Sequence, residues 1–122
     1  MNFEFATATR ILFGPGTLEQ SAETARTLGN KALLVTGQNP DRAARLRDQL
    51  TRRELGVENF QIPTEPTTDL VREGATTARE AGCDFVIGIG GGSVLDGAKA
   101  IAALMTNPGD PLEYLEDRKS VV

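Results

Sequence analysis

Histidine is absent from this 122-residue chain, and so is tryptophan; there is one cysteine and one tyrosine. The missing imidazole matters most. The chain also ends soon after its most distinctive motif, so the site it carries reads as half of an enzyme. The lone Cys83 excludes an internal disulfide. With no signal-peptide pattern at the start, a cytoplasmic location is the default expectation. Aromatic residues make up only 5% of the chain, so Leu, Val, Ile and Ala must fill its core. No apolar run approaches the ~20 residues that a bilayer-spanning helix needs, which argues against a membrane protein. With 13 Lys and Arg against 17 Asp and Glu, the net charge is −4, which offers no basic footprint to nucleic acid or to an anionic membrane. The charges alternate in sign, as on solvated helix faces. The length allows one domain at most, and the sequence has neither repeats nor low-complexity segments.

What is present is an alternation of short apolar runs with longer amphipathic ones. Phe3, Phe5 and Ile11-Leu12-Phe13 predict two short strands around a polar turn, ended by Gly14-Pro15-Gly16. Thr17, with Gln20 three residues on, predicts a capped helix to about Leu28, stopped by Gly29. Ala32–Thr36 reads as a buried strand. Asp41 is expected to cap a helix to about Leu55, with Gly56 as its stop, and Val57–Ile62 follows as a strand. Pro63 and Pro66 mark a loop. Thr68 or Asp69 is expected to cap a helix that ends at Ala81-Gly82. Asp84–Ile89 is the last strand and Ser93–Met105 its helix. Strands separated by helices of this length predict an α/β fold: a Rossmann-like parallel sheet with flanking helices, preceded by a short β-hairpin.

The segment Asp84–Lys99, DFVIGIGGGSVLDGAK, carries the chemistry. An apolar strand runs into Gly88, Gly90, Gly91 and Gly92, and an amphipathic helix follows with Val94, Leu95, Ala98, Ile101, Ala102 and Met105 on one stripe. Glycines let a ligand approach the backbone, and a helix N-terminus carries partial positive charge, so the pattern suits a phosphate. Its place at the carboxyl end of a buried strand is where open α/β sheets bind ligands. Ser93 sits where an N-cap belongs, and Asp96, three residues on, completes a capping-box spacing; both can be read as helix caps alone. The loop is neither the usual dinucleotide fingerprint, because Ser93 replaces its third glycine, nor a P-loop, because no Gly-Lys-Ser/Thr follows. From pattern alone it is a nucleotide or phosphate site.

GIGGGSVLDGAKAIA closely resembles the glycine-rich motif of the iron-containing (group III) alcohol dehydrogenases. The resemblance extends to Phe3–Gly16, similar to that family's opening hairpin, to Lys31–Gly37, similar to its first Rossmann-type strand, and to Asn107–Asp110 with Tyr114-Leu115 beyond the motif helix. It covers about Asn2–Glu116. It implies that Gly90, Gly91, Gly92 and Ser93 hold the pyrophosphate of NAD or NADP, that Asp96 lies near the nicotinamide, and that Gly37, Gln38 and Asn39 lie by the adenosine ribose. Two departures stand out. Gly37 occupies a position where several NAD-preferring members have an Asp that repels a 2′-phosphate, so NADP is left open. Glu65, in Glu65-Pro66-Thr67, stands where many members have Asn in a loop that contacts the cofactor, so the resemblance makes it a further candidate cofactor-binding residue. Lys99 reads equally well as a solvent-facing helix residue.

The resemblance also implies what is not in this stretch. Family members add a helical domain whose Asp and His ligands hold a divalent metal, iron or zinc, that polarises the substrate oxygen for hydride transfer. Without histidine this chain is expected to bind no such metal and to be inactive alone. Residues 1–116 thus read as a partial NAD(P)-binding domain, whose full-length form would act on small alcohols or aldehydes. Asp117–Val122 matches the in-frame translation of a common short-read sequencing adapter, so this tail is expected to be an artefact of truncation. Strand edges meant to be covered would then be bare, which predicts a marginal or oligomeric chain. Phe3–Phe13 is the expected dimer element of a homodimer or larger assembly. Two other readings stay open: a non-catalytic nucleotide-binding module, and an enzyme of the related glycerol dehydrogenase or dehydroquinate synthase branch.

Overall fold

Two apolar strands at the centre organise the chain: β3 (Lys31–Thr36) and β5 (Phe85–Ile89), buried at Ala32–Thr36 and along all of β5. A computed structural model describes residues 2–7, 11–15, 22–23, 25–38 and 41–106. Around this pair lie β1 (Asn2–Thr7), β2 (Ile11–Pro15) and β4 (Gly56–Gln61), with helices α1 (Asp41–Arg52), α2 (Thr68–Ala81) and α3 (Gly92–Thr106). The strand order in the sheet is β2-β1-β5-β3-β4. β3 pairs in parallel with β4, from Lys31↔Gly56 to Thr36↔Gln61, and with β5, from Ala32↔Phe85 to Thr36↔Ile89. The expected hairpin, β1 with β2, continues the same sheet by antiparallel pairing of β1 with β5. The α/β architecture with a parallel sheet and an opening hairpin is therefore present.

Side-chain alternation splits the core into two layers. Leu33, Val35 and Val86 face one side, where they pack with Val71, Ala75 and Ala78 of α2 and with Val94, Ala98 and Ile101 of α3. Ala32, Leu34, Phe85, Ile87 and Ile89 face the other, with Ala43, Leu46 and Leu50 of α1 and with Ala22 and Ala25. Ala43, Leu46 and Leu50 repeat at helical spacing, so α1 buries one stripe and leaves its charges in water. α3 departs from the single stripe that its pattern predicts. Ala100 and Leu104 are buried as well as Val94, Ala98, Ile101 and Ala102, while Leu95 and Met105 are half-buried. The cause is double coverage, because α3 packs against both α2 and the sheet. It comes close enough that a Cβ added at Gly97 would lie 2.3 Å from Ile62 Cδ1.

The boundaries correct several expectations. β2 runs through Gly14 and Pro15, with Asn2 opposite Pro15; β2 is an outer strand, the place in a sheet where proline is tolerated. α1 stops at Arg52, before Gly56, and the reversal is made by Glu54 at φ 64. Leu55 N–H then donates to Leu50 O at 3.0 Å, and Gly56 begins β4. Thr67, one residue earlier than expected, caps α2: its hydroxyl accepts from Leu70 N–H at 3.1 Å. The expected stop at Gly82 is present, at φ 73. Ahead of β3, Ala22, Glu23, Ala25 and Arg26 are helical, and Leu28 N–H closes a turn on Ala25 O at 3.0 Å. The expected Thr17 cap, Asn39, the segment 107–116 and the tail 117–122 lie outside the described residues.

Candidate functional site

At the carboxyl ends of β3, β4 and β5 the chain leaves the sheet in three loops that meet around one cleft of about 510 Å³. Gly37 and Gln38 come from the first loop, Pro63, Thr64 and Glu65 from the second, and Gly91 and Ser93 from the third; Ile62 and Val94 supply an apolar floor. The first two loops are pinned together. Gln38 Nε2 donates to Pro63 O at 2.8 Å, Gln61 Nε2 donates to Gly37 O at 3.1 Å, and Ile62 N–H donates to Thr36 O at 2.8 Å. The second and third are bridged by a bond from Ser93 Oγ to Glu65 Oε1 at 3.0 Å.

The glycines of the third loop divide into two kinds. Gly90 has φ 152, a conformation that side-chain-bearing residues rarely adopt, and a Cβ there would lie 3.0 Å from Val94 Cγ2. Its glycine is explained by the fold. Gly91 and Gly92 have no such reason: an added Cβ at either meets nothing within 4 Å. What they preserve is open space at the start of α3. The first intrahelical bond described there runs from Leu95 N–H to Gly91 O at 3.1 Å, which puts Gly91 at the cap position. The amides of Gly92, Ser93 and Val94 precede that bond and have no intrahelical acceptor. A glycine cap offers no side-chain oxygen, and the first turn of α3 carries no acidic residue. The positive end of the helix is thus left without a counter-charge from its own sequence.

Ser93 is not the cap that its spacing predicts. It lies inside the helix, and its hydroxyl donates to Glu65 rather than accepting from a helical amide. Glu65 is exposed, so this bond is made in contact with solvent. Of the other residues expected at the site, Gly37, Gln38, Glu65, Gly91 and Ser93 line the cleft together. Gly90 and Gly92 flank it within the loop. Asp96 is half-buried one turn further along α3 and is not among the residues lining the cleft; Lys99, also half-buried, lies further still.

Sequence reading passed over Gln61, whose amide holds the Gly37 carbonyl in place. The available signal was position, since it is the last residue of a strand whose carboxyl end faces the cleft. Gln61 also lines a second cleft of about 410 Å³ with Thr36, Ala43, Ala44, Arg47 and Asn59. Among the described residues, no three or more of Cys, Asp and Glu gather as a metal site, and no helix is long and apolar enough to cross a membrane.

The family model for iron-containing alcohol dehydrogenase matches residues 8–122. The chain is 37% identical over 114 residues to a probable NADH-dependent butanol dehydrogenase of Bacillus subtilis, covering 89% of this chain and 29% of that protein. It is 35% identical over 118 residues to the probable alcohol dehydrogenase EutG of Escherichia coli, covering 93% of this chain and 30% of that one. Among solved structures, an iron-containing alcohol dehydrogenase of Thermotoga maritima superposes with a TM-score of 0.70 at 34% identity, covering 86% of this chain and 31% of that chain. The chain thus spans about three-tenths of the length of the relatives it matches.

Proposed function

The chain belongs to the iron-containing alcohol dehydrogenase family, a family of enzymes, and on that premise we propose that it is the NAD(P)-binding part of such a dehydrogenase. The observation that carries the proposal is the empty space over Gly91 and Gly92 at the start of α3, a helix whose own first turn supplies no counter-charge. A pyrophosphate needs backbone donors, close approach and positive potential together, and this loop supplies all of them. In this reading the amides of Gly92 and Ser93 and the Ser93 hydroxyl receive the pyrophosphate, and Gly91 keeps its path clear. Gly90 sets the shape of the turn. Gly37 and Gln38, pinned from below by Gln61 and Pro63, border the ribose end, with Asn39 following them in sequence. Gly37 offers no carboxylate to repel a 2′-phosphate, so NADPH is accepted alongside NADH. Asp96 is assigned to the nicotinamide side.

When bound, the cofactor would supply hydride chemistry toward a small alcohol or aldehyde. The residues of this chain do not fit the metal that the family name implies. Histidine is absent from the sequence, and no acidic or cysteine cluster forms among the described residues. We therefore assign residues 1–122 binding without turnover, and place substrate polarisation outside them. The hairpin β1–β2 is the proposed contact of a homo-oligomer, and the cytoplasm the proposed compartment.

The test is titration of the purified chain with NADH and with NADPH, followed by nucleotide fluorescence, with Gly91→Asp as control. Saturable binding that the substitution abolishes supports the proposal. A folded wild-type chain that binds neither nucleotide refutes it.

A further inference from the structure

The bond from Ser93 Oγ to Glu65 Oε1 at 3.0 Å crosses the cleft at the place assigned to the pyrophosphate. From it we infer that Glu65 is not a cofactor ligand but a built-in competitor: its carboxylate stands in for a phosphate on the glycine loop and must leave before a nucleotide binds. The inference rests on the nucleotide reading of the cleft and goes beyond it by giving Glu65 an opposing role.

The argument starts from what α3 lacks. Its cap is glycine and its first turn has no acid, so nothing in the helix neutralises its positive end. Glu65 arrives from the β4–α2 loop, separated by 28 positions in sequence, and supplies a carboxylate there. A serine hydroxyl has one proton to donate. In the structure that proton is directed at Glu65, so a phosphate oxygen can have it only if the carboxylate gives it up. The two anions also compete for the same partial positive charge. Glu65 is exposed on a loop and its bond to Ser93 is made in contact with water, so its side chain can swing out into solvent. The contact is thus weak enough to open and specific enough to compete.

A double-mutant cycle tests this, reading NADH affinity by fluorescence in the wild-type chain, Glu65→Ala, Ser93→Ala and the double variant. Removing an exposed, charge-assisted bond that competes with the ligand is expected to tighten NADH binding by about three- to tenfold in Glu65→Ala. In the Ser93→Ala background the same change is expected to give less than about a twofold gain, because the contested hydroxyl is gone. Thermal melts serve as the control and are expected to fall by no more than a few degrees, the loss of one exposed carboxylate beside the helix end. Equal or weaker binding by Glu65→Ala overturns the inference, and so does a gain of the same size in both backgrounds, which would show plain charge repulsion without competition for Ser93. Absence of NADH binding in all four folded chains overturns the nucleotide reading itself. Binding that ignores Glu65 overturns only its role as competitor.

Discussion

Two neighbouring glycines should respond in opposite ways to substitution, and the contrast separates a turn from a binding site. Gly91 is at the cap of α3, its backbone is not in the positive-φ region, and a side chain there meets nothing within 4 Å. Aspartate is a better cap than glycine by a few tenths of a kcal/mol, and its charge beside the helix end adds about 0.3–1 kcal/mol. With part of that sum offset by repulsion from the Glu65 carboxylate across the cleft, Gly91→Asp should raise stability by about 0.3–1 kcal/mol, or roughly 1–5 °C in Tm for a chain of this size. The same carboxylate would occupy the proposed phosphate position. Two unit charges 4 Å apart repel by about 1 kcal/mol in water and about 4 kcal/mol at an effective dielectric near 20. Against the two charges of a pyrophosphate, even the weak limit gives a loss of ~30-fold in affinity. Gly90→Ala should do the reverse. At φ 152, with Val94 Cγ2 at 3.0 Å from the new Cβ, it should cost about 1–3 kcal/mol. Calorimetric melts and NADH titrations on the two variants decide the matter. If Gly91→Asp melts lower than wild type, Gly91 is needed by the turn, and the argument that its open space awaits a ligand collapses.

Other consequences are simpler to state. Glu54 reverses the chain at φ 64 without being glycine, so Glu54→Gly should raise stability by about 0.5–1 kcal/mol, the left-handed strain relieved less the added freedom of the unfolded chain; an unchanged or lower denaturation midpoint would count against that account. Burial pushes the Cys83 thiol up, with Glu58 and Asp84 adding to the shift and Lys31 opposing it. The folded chain therefore holds this proton more tightly than the unfolded chain. The associated stability is complete below the ordinary thiol value, near ~8.5, and falls as pH rises beyond it. Alkylation of Cys83 by iodoacetamide at pH 8 should accordingly be slower in the folded chain than in urea, and equal rates would refute it.

How much of this was legible in the sequence depends on how local each signal is. The buried strands Ala32–Thr36 and Phe85–Ile89 announce themselves as apolar runs, because both faces of a central parallel strand are covered. The docking of β1 against β5 has no such signature, since pairing partners are set by the whole sheet. Thr67, Thr68 and Asp69 are all competent caps, and only geometry selects Thr67. Glu54 could not be found by composition, because a residue in left-handed backbone is recognised from sequence only when it is glycine or asparagine.

The glycine loop shows the limit most clearly. As letters, Gly90, Gly91 and Gly92 are identical; in space one is required by the turn and two leave room that the fold itself does not need. Ser93 and Glu65 behave in the same way. Sequence spacing assigns Ser93 to capping its own helix, and Glu65 reads as an isolated departure from a family pattern. Placed together, the two explain each other. A helix without an acidic first turn or a capping side chain accepts its counter-charge from another loop, and the hydroxyl that delivers it is the donor that a phosphate would use. On the nucleotide reading, the glutamate at position 65 should therefore be felt more in cofactor affinity than in stability.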